Sequence, residues 1–344
     1  MTIQRLAPSQ PDSPEVFPLI LIRRNLRPRL LQSLLVFSIV LLVSLVAIEL
    51  IARYALGLGD PPLSVELPNI EYLQKPDMTY TRFRHRYHVN RFGMRSDDFP
   101  ARKSAENEIR IMVFGDSVVN AGAAIPQSEI ATEILRSKIA AETKRPVVVG
   151  NVSAKSWGPP NLLAYARHFG FLDADVVVIV LSSHDAFDIP DGRPVVGIDS
   201  DYPAKKPPFA MSELFFRYAV QLLPKGPAKP KPAPSEDDRR ISMAALRELI
   251  TLAKASGAEV LIAQHLERDE DPNSPLPGYR YIAEVAKAAD IPTIPIGRAL
   301  KRSGNPAKFY SDTIHPTAEA QPIIAQTLFD LVMKSLRNKK SETN

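Results

Sequence analysis

From Ile109 onward the sequence alternates short, mostly apolar runs with amphipathic stretches. IRIMVFG (109–115) reads as a strand buried on both faces, and VVVGNVS (147–153), ADVVVIVLSS (174–183), EVLIAQH (259–265) and the short PTIPIG (292–297) read as four further strands. Between them, residues 128–141, 161–170, 241–256 and 279–289 read as helices, with Ser128 a plausible cap for the first, and 318–336 reads as a closing helix. Strand, helix, strand in repetition leaves few choices. Parallel strands need crossovers, and both sheet faces must then be covered. The expected architecture is a three-layer α/β/α domain, flavodoxin-like, with about five parallel strands.

In an open parallel sheet, ligands gather at the carboxyl ends of the strands. Three polar clusters fall at those ends. Gly115-Asp116-Ser117 follows the first run, Ser182-Ser183-His184-Asp185 follows the third, and Asp312-Thr313-Ile314-His315 precedes the closing helix. A serine hydroxyl is a weak nucleophile and needs a base. His315 can supply it, and Asp312, three residues earlier, can accept from the imidazole and fix its tautomer. Ser117 lies where a strand turns into a helix, so its own N–H can face a developing oxyanion. Taken singly, Ser117 also reads as a turn cap and His315 as a surface histidine before Pro316.

GDSVVNAG (115–122) and DTIHPTAEA (312–320), in this order and with NVSAKSWGPPN (151–161) and SSHD (182–185) between them, resemble the blocks of the SGNH/GDSL hydrolase family. The resemblance covers residues 109–337. It implies an acyl-serine mechanism with Ser117, Asp312 and His315 as the catalytic set. It also implies an oxyanion hole built from Ser117, a second-block residue and a third-block residue. By position these are Ser156, where the family has glycine, and His184, where it has asparagine. A serine backbone donates as a glycine backbone does, and a neutral imidazole still offers one N–H. His184 also reads as a structural residue packed on Asp185 or Asp188. Trp157, Gly158 and Asp185 are the expected substrate contacts. Trp157, the one tryptophan, reads either as a sugar-stacking platform or as core. Asn90, Gly93 and Arg95, in VNRFGMR, resemble a lead-in found in anchored members of the family, and equally read as packing residues.

The run Leu30–Ile48 carries no charge. As a helix its ~19 residues span about 28 Å, enough to cross the hydrocarbon core. Arg23, Arg24, Arg27 and Arg29 precede it, which predicts a cytoplasmic N-terminus and a C-terminal domain outside, on the periplasmic side of a bacterial inner membrane. The other reading is a cleaved signal peptide. The expected organisation is a tail (1–29), an anchor (30–50), a lead-in of loops and short strands (51–108) and the catalytic domain. A Pro/Lys-rich insertion at about 222–240 should be mobile.

The net charge of +5 is concentrated before the apolar run, in five arginines against Asp12 and Glu15. That distribution argues against a nucleic-acid partner. The absence of cysteine excludes disulfides and thiolate chemistry, and no metal or cofactor is implied. The expected activity is that of an esterase or O-acyltransferase on O-acetyl groups of a cell-envelope or exported polysaccharide, with polysaccharide-synthesis or export proteins as possible partners. Two alternatives stand beside it. One is a lysophospholipase or thioesterase lidded by Phe209, Met211, Leu214, Phe215 and Phe216. The other is a non-catalytic module of a polysaccharide-export complex.

Overall fold

The computed structural model describes residues 28–222, 233–302 and 305–342. The chain divides into two compact units, one ending at Ala47 and the other running from Ile48. In the first, the apolar run forms most of helix α1 (Pro28–Leu50), whose side chains are exposed along nearly its whole length. Among the described residues, this helix with its continuation to Ala55 is the one stretch long and apolar enough to cross a membrane; a signal sequence has the same character.

The second unit opens with a π-helical turn (Ile51–Ala55) and two antiparallel hairpins, β1 (Ser64–Leu67) with β2 (Ile70–Gln74) and β3 (Met78–Arg82) with β4 (His85–Val89). Phe83 and Arg84, the two residues joining β3 to β4, both have positive φ (48° and 66°). That is the turn whose twist matches a tight hairpin.

Five parallel strands follow: β5 (Ile109–Gly115), β6 (Val147–Ser153), β7 (Val176–Leu181), β8 (Glu259–Gln264) and β9 (Thr293–Pro295). They pair in the order β6-β5-β7-β8-β9. The period-2 alternation of each strand splits the core in two. Met112, Phe114, Val177, Ile179 and Ile262 belong to one apolar cluster, and Ile111, Val113, Val176, Val178 and Leu261 to the other. The first is completed by α4 (Pro159–Phe169), α6 (Glu236–Ala255) and α7 (Pro277–Ala288). The second is completed by α3 (Ala131–Thr143), α8 (Ile296–Lys301) and α9 (Gln321–Glu342). Burying each such aliphatic side chain contributes about 1.5–3 kcal/mol. The expected three-layer fold with five parallel strands is what forms. Short helices α2 (Ser117–Asn120) and α5 (Ala210–Glu213) complete the set.

The chain goes from β5 outward to β6, then returns to the other side of β5 for β7. The order therefore reverses at β5, and the crevice of such a sheet opens at the carboxyl end there. Ser117 is two residues beyond β5.

Local departures from the sequence reading have physical causes. Ser128 is exposed and caps nothing. A 3₁₀ turn (Gln127–Glu129) precedes α3, and buried Gln127 accepts the His88 N–H instead. The fifth strand ends at Pro295, and Ile296 begins a helix whose Gly297 packs so closely on Leu266 that a Cβ would come within 2.4 Å of it. Residues 318–320 form a separate 3₁₀ turn before α9. Part of the insertion expected to be mobile is ordered. Ser235 and Asp238 form a reciprocal capping box that starts α6 at Glu236. Residues 223–232 lie outside the described residues.

Candidate active site

Asp116 caps the turn that begins at Ser117, its Oδ1 accepting the Val118 N–H at 2.8 Å. Ser117 lies 198 residues from His315 in sequence, yet its hydroxyl donates to His315 Nε2 at 2.8 Å. His315 Nδ1 donates to Asp312 Oδ2 at 2.6 Å. Asp312 Oδ1 accepts the backbone N–H groups of Ile314 and His315, both at 2.8 Å. Burial raises the Asp312 pKa, but these N–H groups and the imidazole outweigh it and hold the carboxyl below its usual range. One short segment thus supplies both the base and the group that fixes its tautomer. The arrangement can pass the serine proton to an imidazole whose new charge the carboxylate stabilises.

The 310–315 segment is held from below. Buried His265, just beyond β8, donates through Nε2 to the Ile314 carbonyl at 2.9 Å, which puts the lone pair on Nδ1. Tyr310 donates to the Leu266 carbonyl (2.7 Å), and the Arg268 N–H to that of Thr313 (2.7 Å). Burial pushes the His265 pKa down to about 4. Since the unfolded histidine binds its proton near pH 6.5, its contribution to stability is complete above that value. It is lost as pH falls from about 6.5 to about 4. Wild type should therefore be more stable than His265→Gln at pH 7, with an advantage that shrinks toward pH 4. Paired melting curves across that range measure it, and an advantage independent of pH would contradict the assignment.

A cavity of about 600 Å³ opens over Ser117 and His315. Its walls include Tyr72, Gln74, Tyr87, Asn120, Arg217 and Tyr218, together with the loop Ala121–Ile125. Of these wall residues only Asn120, Ala121 and Gly122 fall within a sequence motif, the GDSVVNAG block. Tyr72, Gln74 and Tyr87 come from the hairpins of the lead-in, whose aromatic richness is the only signal they leave in the sequence. Arg95 of the VNRFGMR stretch is fully buried. It donates to the carbonyls of Asn120 (2.6 Å), Gly122 (2.7 Å) and Ile125 (2.6 Å), and its guanidinium stacks 4.3 Å from the Tyr87 ring centre. Asn90 fixes the same stretch by accepting the N–H groups of Phe92 and Met94.

The expected substrate contacts lie elsewhere. Trp157 is 1% exposed, donates to the Tyr72 carbonyl and packs against Tyr72 and Tyr165, so its faces serve the core rather than a sugar. Gly158 is buried at the start of α4, where a Cβ would meet the Asp188 carbonyl at 2.4 Å. Asp185 is fully buried and accepts the Ser182 N–H at 2.6 Å. Ser156 sits on an exposed turn with φ 61°, a left-handed conformation that favours glycine, and its Oγ accepts from Tyr202 at 3.4 Å. Phe209, Phe215 and Phe216 are exposed and line no part of the cavity.

His184 does not line the cavity either. Its Nε2 faces Asp116 Oδ2 at 3.5 Å and Asp185 Oδ1 at 3.6 Å, and its Nδ1 faces Glu267 Oε1 at 3.8 Å. Burial opposes the imidazolium, but Asp185, Asp116 and Glu267 outweigh it and push the His184 pKa up to about 12. Burial and the Asp116 charge push the Asp185 carboxyl up. Asp116, His184 and Asp185 could geometrically hold a metal ion, their ligand atoms lying within 4.8 Å of one another. The ring nitrogens of His184 face carboxylates at 3.5–3.8 Å, outside the Ser117 cavity, and Nδ1 has no hydrogen-bond partner among the described residues. His184→Asn and His184→Ala should both lower stability, by about 1–3 kcal/mol given the partial exposure of the ring. Turnover of the folded fraction should change less than about tenfold, where loss of an oxyanion donor would cost about 10² to 10³. Melting temperature and turnover on the two variants separate the roles.

Among solved structures, the fold is similar to the psychrotrophic esterase EstA from Pseudoalteromonas sp. (16% identity over 66% of this chain and 98% of that one, TM-score 0.42). It is similar to an acetyl xylan esterase from Geobacillus stearothermophilus (13%, 66% and 94%, TM-score 0.42). A member of the lipolytic G-D-S-L family from Veillonella parvula is also similar (14%, 64% and 97%, TM-score 0.39). No family model matches the sequence, and no curated protein matches it.

Proposed function

We propose that this chain is a serine esterase of the SGNH/GDSL type, anchored by its N-terminal helix with the catalytic domain outside the cytoplasm, that removes or transfers short acyl groups on a polysaccharide. The observation that carries this reading is the relay from Ser117 through His315 to Asp312, open to a cavity large enough for a sugar ester.

In the first step Ser117 Oγ attacks the ester carbonyl carbon while His315 Nε2 takes the hydroxyl proton. The tetrahedral intermediate then collapses, the C–O bond to the sugar breaks, and the same proton passes to the leaving alkoxide. Water, or the hydroxyl of another sugar, repeats the sequence in reverse and frees the serine. We assign the Ser117 backbone N–H as the principal oxyanion donor and that of Ser156 as the second. The left-handed turn at Ser156 and its place beside Lys155 of the cavity wall support the latter.

The walls favour a sugar over a long acyl chain. Tyr218, 37% exposed, offers ring surface with a polar tip, and Lys155 and Arg217 stand in the same wall with Gln74. A lipid-directed enzyme would line such a cavity with the apolar residues of the 209–216 segment, and Phe209, Phe215 and Phe216 are not there. The chain-length profile on nitrophenyl esters tests this. Acetyl should exceed decanoyl in kcat/KM by about tenfold or more. The opposite order would favour the lipid-directed alternative.

A further inference from the structure

Residues 209–222 form a second apolar element beside the residues that follow α1. Glu49 accepts the N–H groups of Ala210 (3.1 Å) and Met211 (2.9 Å), so the last turn of α1 caps the start of this helix. Ala52, Leu58 and Ala210 form one buried cluster, against which Leu214 and Phe83 pack. Glu213, buried in an ion pair with Arg82 (2.6 Å), accepts the Gly59 N–H and ties the element down further. The helix is thus fixed in place, yet it turns large apolar side chains to the outside. Phe209, Phe215 and Phe216 are 54%, 57% and 69% exposed. Leu50, Ile51 and Tyr54, on the chain that meets it, are 50%, 56% and 70% exposed. Soluble surfaces rarely gather such groups without a partner.

We infer that this face, formed by Leu50, Ile51 and Tyr54 with Phe209, Phe215 and Phe216, is a lipid-contact surface that lies in the interfacial layer of the membrane holding α1. The inference rests on the anchored reading above. Chain continuity identifies the occupant. The helix that carries the apolar run continues through Glu49 to Leu50, Ile51 and Tyr54, so where α1 leaves the hydrocarbon core these residues stand at the headgroup level, and the 209–216 segment is hydrogen-bonded to Glu49 beside them. Aromatic side chains at that depth place an apolar ring against the acyl boundary. Arg217 and Tyr218, next along the same helix, line the Ser117 cavity.

The native sequence has no cysteine, so a single introduced thiol can carry a fluorophore. The full chain, reconstituted in phosphatidylethanolamine–phosphatidylglycerol vesicles, would be labelled separately as Phe216→Cys, Leu41→Cys and Lys287→Cys. Lys287 is exposed on α7. Nitroxide lipids labelled near the headgroup should quench the probe at 216 several-fold more than the probe at 287. Those labelled near the acyl terminus should quench most strongly at 41. Quenching at 41 with equal, weak quenching at 216 and 287 would overturn this inference while leaving the anchor intact. A blue-shifted but unquenched probe at 216 would mean that a second copy covers the face, which also overturns it. No quenching at 41 would overturn the anchored reading and this inference together.

Discussion

Ser117→Ala should abolish both ester hydrolysis and covalent labelling by a fluorophosphonate, with the melting temperature almost unchanged. The hydroxyl makes one hydrogen bond, to His315, so its removal orphans no buried partner. His315→Ala should lower turnover by about 10³ to 10⁴, the range typical when a triad base is lost. Asp312→Ala should cost as much or less, because the imidazole keeps its place but loses its tautomer control. The double variant Ser117→Ala/Asp312→Ala should be no worse than Ser117→Ala alone, since residues acting as one unit are strongly non-additive. Label on a residue other than Ser117, or full activity in Ser117→Ala, would remove the acyl-serine mechanism. A folded wild type that takes no label would favour a non-catalytic module.

Arg95→Leu should cost about 3–5 kcal/mol, the largest stability effect expected outside the apolar core. Its guanidinium donates to three carbonyls of the Asn120–Ile125 segment from a site with no exposure. Hydrogen bonds to charged groups contribute about 1.5–3 kcal/mol each, and buried acceptors left unpaired cost about 1–3 kcal/mol; water entering from the cavity recovers part of this. That same segment walls the cavity beside Ser117, so substrate affinity should fall along with stability. Arg95→Lys keeps the charge but not the planar fork, and should recover only part of the loss. Denaturant unfolding and KM on both variants measure the two effects. Equal stability of wild type and Arg95→Leu would show that the loop holds itself.

The inner strands β5, β7 and β8 were legible because burial on both faces leaves a largely apolar run of six or seven residues, whereas the edge strand β9, three residues long and only half-buried, leaves a weaker trace. The relay was legible because half of it is local. Asp312 and His315 share one turn, and the polar clusters at strand ends stand out against the apolar strands that deliver them. The uncharged run at Leu30–Ile48 was equally plain, since its length and composition alone set it apart.

What surrounds the relay was decided by tertiary structure. The cavity walls come from hairpins some thirty or more residues before Ser117 and from the segment at 217–218, brought together by packing that leaves no periodic trace. Trp157 reads from sequence as either platform or core, and only the approach of Tyr72 and Tyr165 makes it core. His184 could donate to an oxyanion or carry a proton. What its ring faces is set by Asp116 beyond β5, Asp185 beyond β7 and Glu267 beyond β8, three acidic groups from three strand ends that the order β5-β7-β8 sets side by side. A one-dimensional pattern reports which side chains are buried. Which charges meet once they are buried depends on strand order, and that is a property of the folded sheet.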